Sequence, residues 1–243
     1  LLQGAAAVQV LDRRHRFWLQ RLGVQTPVVE APNGFLELDL LGEDESAWQD
    51  DGPLRLYFLG RIDSHNKGLD LLIEAFGRLK GRVPARLVLQ GRDCGDRHRL
   101  EAQAQPLLPD VEFRGPNYDS CAVRLIAEHQ ILCLPSRFEG FGLVALEAML
   151  AGRVVLVTEV AGIAPHIRAS GCGVVTAAKA AAIEQGLCDL IGRRSQWRAM
   201  GLAGRRYALE HLSWNRIADA VLTRYAQLVG TGAASAPVSP GRA

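Results

Sequence analysis

Lysine is almost missing from this chain: of 28 basic residues only Lys67, Lys80 and Lys179 are lysines, and the rest are arginines. Positive charge in excess is missing too. A net charge of +2 excludes bulk electrostatic attraction as the basis of function, so no nucleic acid partner is expected. The five cysteines (Cys94, Cys121, Cys133, Cys172 and Cys188) are odd in number and include no C-x-x-C pair. That argues against a disulfide framework or a zinc site and for free thiols in a reducing cytoplasm. No run of about 18 apolar residues is present, so no transmembrane helix is expected. The start, Leu1-Leu2-Gln3, has neither an initiator methionine nor the charged region of a signal peptide. The chain therefore reads as a piece of something longer, or as lacking its own beginning.

What is present is enough for a core. The 243 residues are 48% hydrophobic and 22% charged, the balance of one sizeable domain with appendages. In residues 1–35, Val8, Leu11, His15, Trp18, Leu19 and Leu22 recur at helical spacing, and Gly23 ends the expected helix. Thr26 to Ala31 predicts a short strand and Pro32-Asn33-Gly34 a turn. Residues 36–53 are acidic, lack periodicity and read as a linker.

From residue 54 to 229 the pattern is regular. Strands are predicted at Leu54–Leu59, Arg86–Gln90, Val111–Arg114, Ile131–Leu134, Val154–Val157 and Cys172–Thr176. Helices are predicted at Leu69–Leu79, Arg97–Leu107, Ala122–His129, Leu143–Leu150, Ala178–Ile191, Gln196–Glu210 and Trp214–Leu228. Residues 230–243, rich in Gly, Ala, Ser and Pro, read as a disordered tail. Strands that alternate with helices and close on Gly or Pro-Ser imply an α/β fold: a Rossmann-like parallel sheet with helices on both faces. Ligands of such sheets bind at the carboxyl ends of the strands, so the Gly-closed loops are the place to look for chemistry.

Two of those loops carry informative residues. Gly60-Arg61-Ile62-Asp63-Ser64-His65-Asn66-Lys67-Gly68 places two cations between a strand end and a helix start, a position that already favours anions and with Arg61 and Lys67 suits a pyrophosphate. Two solvated surface charges would have the same spacing. Pro135-Ser136-Arg137-Phe138-Glu139-Gly140-Phe141-Gly142 leads into the helix that contains Glu147. Its glycines admit a ligand close to the backbone. Eight positions at helical rise would separate Glu139 and Glu147 by about 12 Å, wider than the roughly 5–10 Å of glycosidase carboxylate pairs. That spacing suits one extended ligand held at two hydroxyl-bearing ends. The alternative is a helix-capping Glu139 and a Glu147 in a surface ion pair.

The pieces Gly60-Arg61…Lys67-Gly68 and Glu139-Gly140-Phe141-Gly142…Glu147-Ala148-Met149 resemble, in order and spacing, the C-terminal half of GT-B glycosyltransferases of group 1, also called family 4. Pro32-Asn33-Gly34 resembles the turn between the two halves of that family, and Ser213-Trp214 the start of its last helix. The resemblance spans roughly residues 25 to 229. It implies a retaining glycosyltransferase whose donor-binding half is this chain, with a nucleoside-diphosphate sugar as donor, a glycan or lipid-linked acceptor, and a missing N-terminal domain of which residues 1–35 are the remnant.

The resemblance also implies roles. Arg61 and Lys67 would hold the diphosphate and stabilise it as it leaves. Glu139 would bind the transferred hexose, and the backbone of Gly140, Phe141 and Gly142 would line sugar and phosphate. Glu147 would bind the ribose, and Gly91, Gly115 and Asn117 would border the base. No cofactor or metal is implied, and no Asp-x-Asp motif suited to a donor-bound metal is present. The implied place is the cytoplasm, with attachment to the inner membrane face left open. Two departures stand out. Ala161-Gly162-Ile163-Ala164-Pro165 replaces a Gly-Gly-x-x-Glu segment without its glutamate, and Arg153 stands before the valines where the family tends to have Pro. His65 and His166 are expected to be polar filler rather than catalytic bases. A non-catalytic nucleotide-sugar-binding module, or a subunit needing a partner, fits the same residues. An epimerase or phosphorylase of the same fold fits less well, since the glutamate pair is retained and none of the three lysines has a setting for pyridoxal phosphate.

Overall fold

The computed structural model describes residues 2–36, 40, 42, 48 and 52–233. Two units are evident. The first is small: strand β1 (Val8–Val10), helix α1 (Arg13–Arg21) and strand β2 (Val28–Glu30), with β1 and β2 paired in parallel. The expected single N-terminal helix is thus corrected. Val8 lies in a strand, and the helix starts only after Asp12, whose carboxylate accepts the Arg14 amide at 2.7 Å as an N-cap.

The second unit holds strands β3 (Leu54–Leu59), β4 (Ala85–Gln90), β5 (Val111–Arg114), β6 (Ile131–Leu134), β7 (Val154–Thr158) and β8 (Gly173–Thr176). They form one sheet in the order β5-β4-β3-β6-β7-β8, all parallel. Successive strand residues point to opposite faces. Tyr57 and Phe58, neighbours on β3, are both 0% exposed, and so is every residue from Val154 to Val157. Both faces must therefore be covered, as the uninterrupted apolar runs predicted.

The cover comes from α2 (Ser64–Lys67), α3 (Leu69–Leu79), α4 (Arg97–Ala104), α5 (Ala122–Ala127), α6 (Leu143–Leu150), α7 (Ala164–Ser170), α8 (Ala180–Gly192), α9 (Trp197–His211) and α10 (Trp214–Ala233). Helix α3 packs on α4 and α8, and α6 on α5 and α9. Leu69, Leu72, Ile73, Phe76 and Leu79 give α3 its buried stripe. The expected helix over Arg97–Leu107 ends early at Ala104, and Pro106 sits in a 3₁₀ turn instead, since proline cannot continue an α-helix ladder.

Helix α10 runs to Ala233, past the boundary expected at 229 and into the stretch expected to be a disordered tail. Residues 234–243 of that tail lie outside the described residues. So does most of the 36–53 linker, but Leu40 and Trp48 pack against the core. Trp48 lies under the guanidinium of Arg153 (4.9 Å) and 6.3 Å from Trp197. Arg153, which stands where the family tends to have Pro, is 1% exposed, donates to the carbonyls of Ala127 and Ala151, and burial lowers its pKa to about 10. The turn at Pro32-Asn33-Gly34 is held against the start of α10, where the Phe35 amide donates to the Leu212 carbonyl and the Trp214 amide donates to the Phe35 carbonyl. Further along α10, the Tyr225 hydroxyl donates to Gln9 of the first unit at 2.9 Å.

Candidate functional site

Strand β3 lies beside both β4 and β6, so the direction of chain progression reverses between β3 and β6. The crevice at that reversal, outside the carboxyl ends of the strands, is the binding position that this topology creates. The two informative loops are the ones that follow β3 and β6.

The loop after β3 is fixed by glycine geometry and capping. Gly60 and Gly91 end β3 and β4 with φ of 154° and 151°, and a side chain on Gly91 would overlap the Gly60 carbonyl. Only glycines allow the two loops to touch there. Asp63 then caps α2, accepting the Asn66 amide at 3.0 Å and its side-chain amide at 2.6 Å. Burial would raise the Asp63 carboxyl, but the Asn66 bonds and the Arg61 charge hold it below the usual range. Gly68 closes α2 in the left-handed region (φ 63°), where a Cβ would strike the Pro135 carbonyl.

The loop after β6 is built around Glu139. The Thr158 hydroxyl donates to the Ser136 carbonyl at 2.6 Å, and the Ser136 hydroxyl donates to Glu139 Oε2 at 3.2 Å. Lys67 Nζ reaches the same oxygen at 2.7 Å, with the two side chains only 17% and 13% exposed. Glu139 is therefore not a helix cap: α6 starts on Gly142 (φ 99°) without a side-chain bond, and the Leu143 and Val144 ends of the helix face the cleft. Helical rise applies only from Leu143 onward, so the first four of the eight steps from Glu139 to Glu147 lie outside the helix on which the expected separation of about 12 Å rests.

The cleft between these loops has a volume of about 340 Å³, and Asn33, Arg61, Lys67, Glu139, Phe141 and Gly142 are among its walls. Arg61 is exposed at its edge. Of the other sequence candidates, Gly140 is exposed with Leu11 nearby, and Glu147 is half-buried within α6. Gly91 abuts Gly60. Gly115 and Asn117 follow β5, two strands away, where Asn117 accepts the amides of Asp119 and Ser120. None of these five lines the cleft. A larger cleft of about 620 Å³ opens near Lys80, Arg82 and Asp110, at the amino ends of the strands and away from both loops.

The segment without the family's glutamate packs directly on the site. Ile163 donates to the Phe141 carbonyl at 2.8 Å, and a Cβ on Gly162 would lie 2.5 Å from the Gly140 carbonyl and 2.9 Å from Asp12 Oδ2. Asp12 is itself held by Arg14, which also donates to the Glu159 carbonyl at 3.0 Å. The first unit is thereby attached to the loop after β7. His65 is exposed beside Phe138, and His166 lies on α7 with Nδ1 3.1 Å from the Tyr207 hydroxyl. Burial lowers the pKa of His166.

Sequence reasoning missed three contributors: Ser136, Asn66 and the ion pair of Asp70 with Arg137. The Asn66 carbonyl accepts the amides of both Arg137 (2.8 Å) and Phe138 (3.1 Å). Arg137 lay inside the quoted motif, but its partner is 67 residues away and no periodicity connects them. Among the described residues, no group of three or more His, Cys, Asp or Glu could hold a metal ion, and no helix is long and apolar enough to cross a membrane.

Residues 53–193 match the family described as "Glycosyl transferases group 1". The chain is 28% identical over 237 residues to a phosphatidyl-myo-inositol mannosyltransferase of Mycobacterium tuberculosis, covering 93% of this chain and 60% of that protein. Its fold is similar to sucrose-phosphate synthase of Thermosynechococcus elongatus (TM-score 0.81, 23% identity, 95% of this chain and 60% of that one). It is also similar to Anabaena HepE, solved in complex with UDP (TM-score 0.79, 17% identity, 92% and 64%). The chain thus spans about 60% of the length of the first relatives it matches.

Proposed function

The chain belongs to the group 1 glycosyltransferases, and from that premise we propose that the cleft between the β3 and β6 loops binds the diphosphate and sugar of a nucleoside-diphosphate-sugar donor. The observation that carries the reading is the Lys67–Glu139 pair at 2.7 Å beside the exposed Arg61, at the sheet's reversal point. A cation already satisfied by one carboxylate, next to a second cation and the amino end of α6, is a cradle for a polyanion.

In the proposed reaction Arg61 and Lys67 neutralise the diphosphate as the glycosidic bond breaks and negative charge collects on the leaving group. Preorganised cations lower that barrier without rearranging at the moment of reaction. Glu139 turns from Lys67 to a hydroxyl of the sugar, and Glu147 takes the ribose. A hydroxyl of the acceptor, a glycan or glycolipid, attacks from the face the leaving group vacates and gives its proton to the departing diphosphate, so anomeric configuration is retained. The chain performs this as the donor half of a longer enzyme, and the 60% coverage of its relatives supports that. Its place is cytoplasmic, next to any lipid-linked acceptor; the free state of all five cysteines is compatible with a reducing compartment.

The test is calorimetric titration of the chain with UDP, GDP, ADP and CMP. Selective binding of one diphosphate is expected. UDP, held by Anabaena HepE, is the first candidate. Failure of all four to bind sinks the donor reading for this chain.

A further inference from the structure

We propose that Asp70 and Arg137, which do not line the cleft, form a positioning brace that fixes Lys67 on Glu139. The inference rests on the reading of the cleft as a diphosphate site only for its functional consequence. Arg137 Nη1 donates to the Ser64 carbonyl at 2.7 Å, three residues before Lys67. Arg137 also forks onto Asp70, three residues after it, with Nη1 to Oδ1 at 2.7 Å and Nη2 to Oδ2 at 2.8 Å. The backbone amides of Arg137 and its neighbour Phe138 both donate to the Asn66 carbonyl, one residue before Lys67. A single residue on the β6 loop therefore ties down the chain on both sides of Lys67, and two positions beyond it on the same loop stands Glu139.

Every part of the clamp is specific in chemistry. A planar guanidinium can bind a carboxylate through two parallel bonds and a carbonyl through the shared nitrogen at once, which an ammonium cannot. Burial would raise the Asp70 carboxyl, but the bonds and charge of Arg137 hold it below the usual range, so the pair stays ionised at neutral pH. The absence of a side chain at Gly68 lets the Pro135 carbonyl close in from the other side. The Lys67 loop is therefore fixed between α3 and the β6 loop, and a lysine on a flexible four-carbon stem is given one address.

The scarcity of lysine makes this testable without a ligand. Brief acetylation of the unliganded chain, read by peptide mass spectrometry, follows Lys67 against Lys80 and Lys179 as internal references. In Asp70→Asn and in Arg137→Gln, Lys67 should acetylate about tenfold faster relative to the references, the equilibrium weight of one hydrogen bond to a charged group. An unchanged relative rate overturns the brace, and so does an equal rise at all three lysines, which would report only global loosening. Should Arg137→Gln not fold, the near-isosteric Asp70→Asn carries the test. Titration of the same proteins with UDP, GDP, ADP and CMP supplies the second arm. A wild-type chain that binds none of them overturns the donor reading and leaves the labelling result standing. If one binds, about tenfold weaker binding in both variants is expected, and equal affinity overturns the part assigned to the brace in phosphate binding.

Discussion

Deleting either partner of the Lys67–Glu139 pair should cost more than deleting both. At 2.7 Å the Coulomb attraction is about 6 kcal/mol for an effective dielectric of 20. Desolvation offsets much of this, because the side chains keep only 17% and 13% of their exposure. Lys67→Met leaves a nearly buried carboxylate with the Ser136 hydroxyl as its remaining partner, and should destabilise the fold by about 3 kcal/mol. Glu139→Gln keeps the shape but removes the charge, and should cost about 2 kcal/mol. The double variant should cost less than about 2 kcal/mol, giving a coupling energy above about 3 kcal/mol in a cycle read by urea denaturation with unchanged m-values. Additive losses would show instead that the pair is solvent-screened and uncoupled. The same variants carry a functional corollary. Glu139→Gln removes a negative charge that competes for Lys67, so its affinity for a free diphosphate should rise several-fold while affinity for the intact sugar donor falls.

Two further predictions concern the frame around the cleft. Gly68→Ala meets both a left-handed backbone and the Pro135 carbonyl and should cost more than about 2 kcal/mol, whereas Gly81→Ala, also left-handed but in open space, should cost about 1 kcal/mol; equal losses in urea melts would remove the steric argument. His129 is buried, stacked on Tyr57 at 4.0 Å, and its pKa is lowered to about 4, chiefly by burial. Between pH 4 and 6.5 the unfolded chain binds the proton that the folded chain refuses. Stability should therefore rise with pH across that window by about 3 kcal/mol from this group and level off above it. His129→Phe should flatten the rise, and an unaltered slope would show that other groups cause it.

How much of this was legible in the sequence varied with the physics of each part. Leu54–Leu59, Val111–Arg114, Ile131–Leu134, Leu69–Leu79 and Leu143–Leu150 were read to the residue. Buried parallel strands are unbroken apolar runs, glycine or proline punctuates their ends, and α3 shows a clean helical stripe. The N-terminal unit misled, because Val8 and Leu11 fall at helical spacing while Val8 in fact pairs with Val28 across a crossover. Helix α7 was not delimited, being seven residues long with its proline in the first turn, where proline is tolerated. The placing of Arg61, Lys67 and Glu139 in strand-end loops was legible, because strand ends close on glycine or Pro-Ser in the sequence. The direct contact of Lys67 with Glu139, the Asp70–Arg137 fork and the seat of Ser136 were not. The first two join loops roughly 70 residues apart, and Ser136 is held by Thr158 from the end of the neighbouring strand, so all depend on which strands are neighbours, information that no local pattern holds.

Arg61 and Lys67 are proposed as an anion cradle for a donor diphosphate. Its most direct test is the dissociation constant of the preferred nucleoside diphosphate for the wild-type chain and for Arg61→Ala, measured by calorimetry. Measurable binding that weakens by roughly 10- to 100-fold in the variant is expected, the worth of a charge-assisted hydrogen bond. Equal affinity in the two proteins would contradict it.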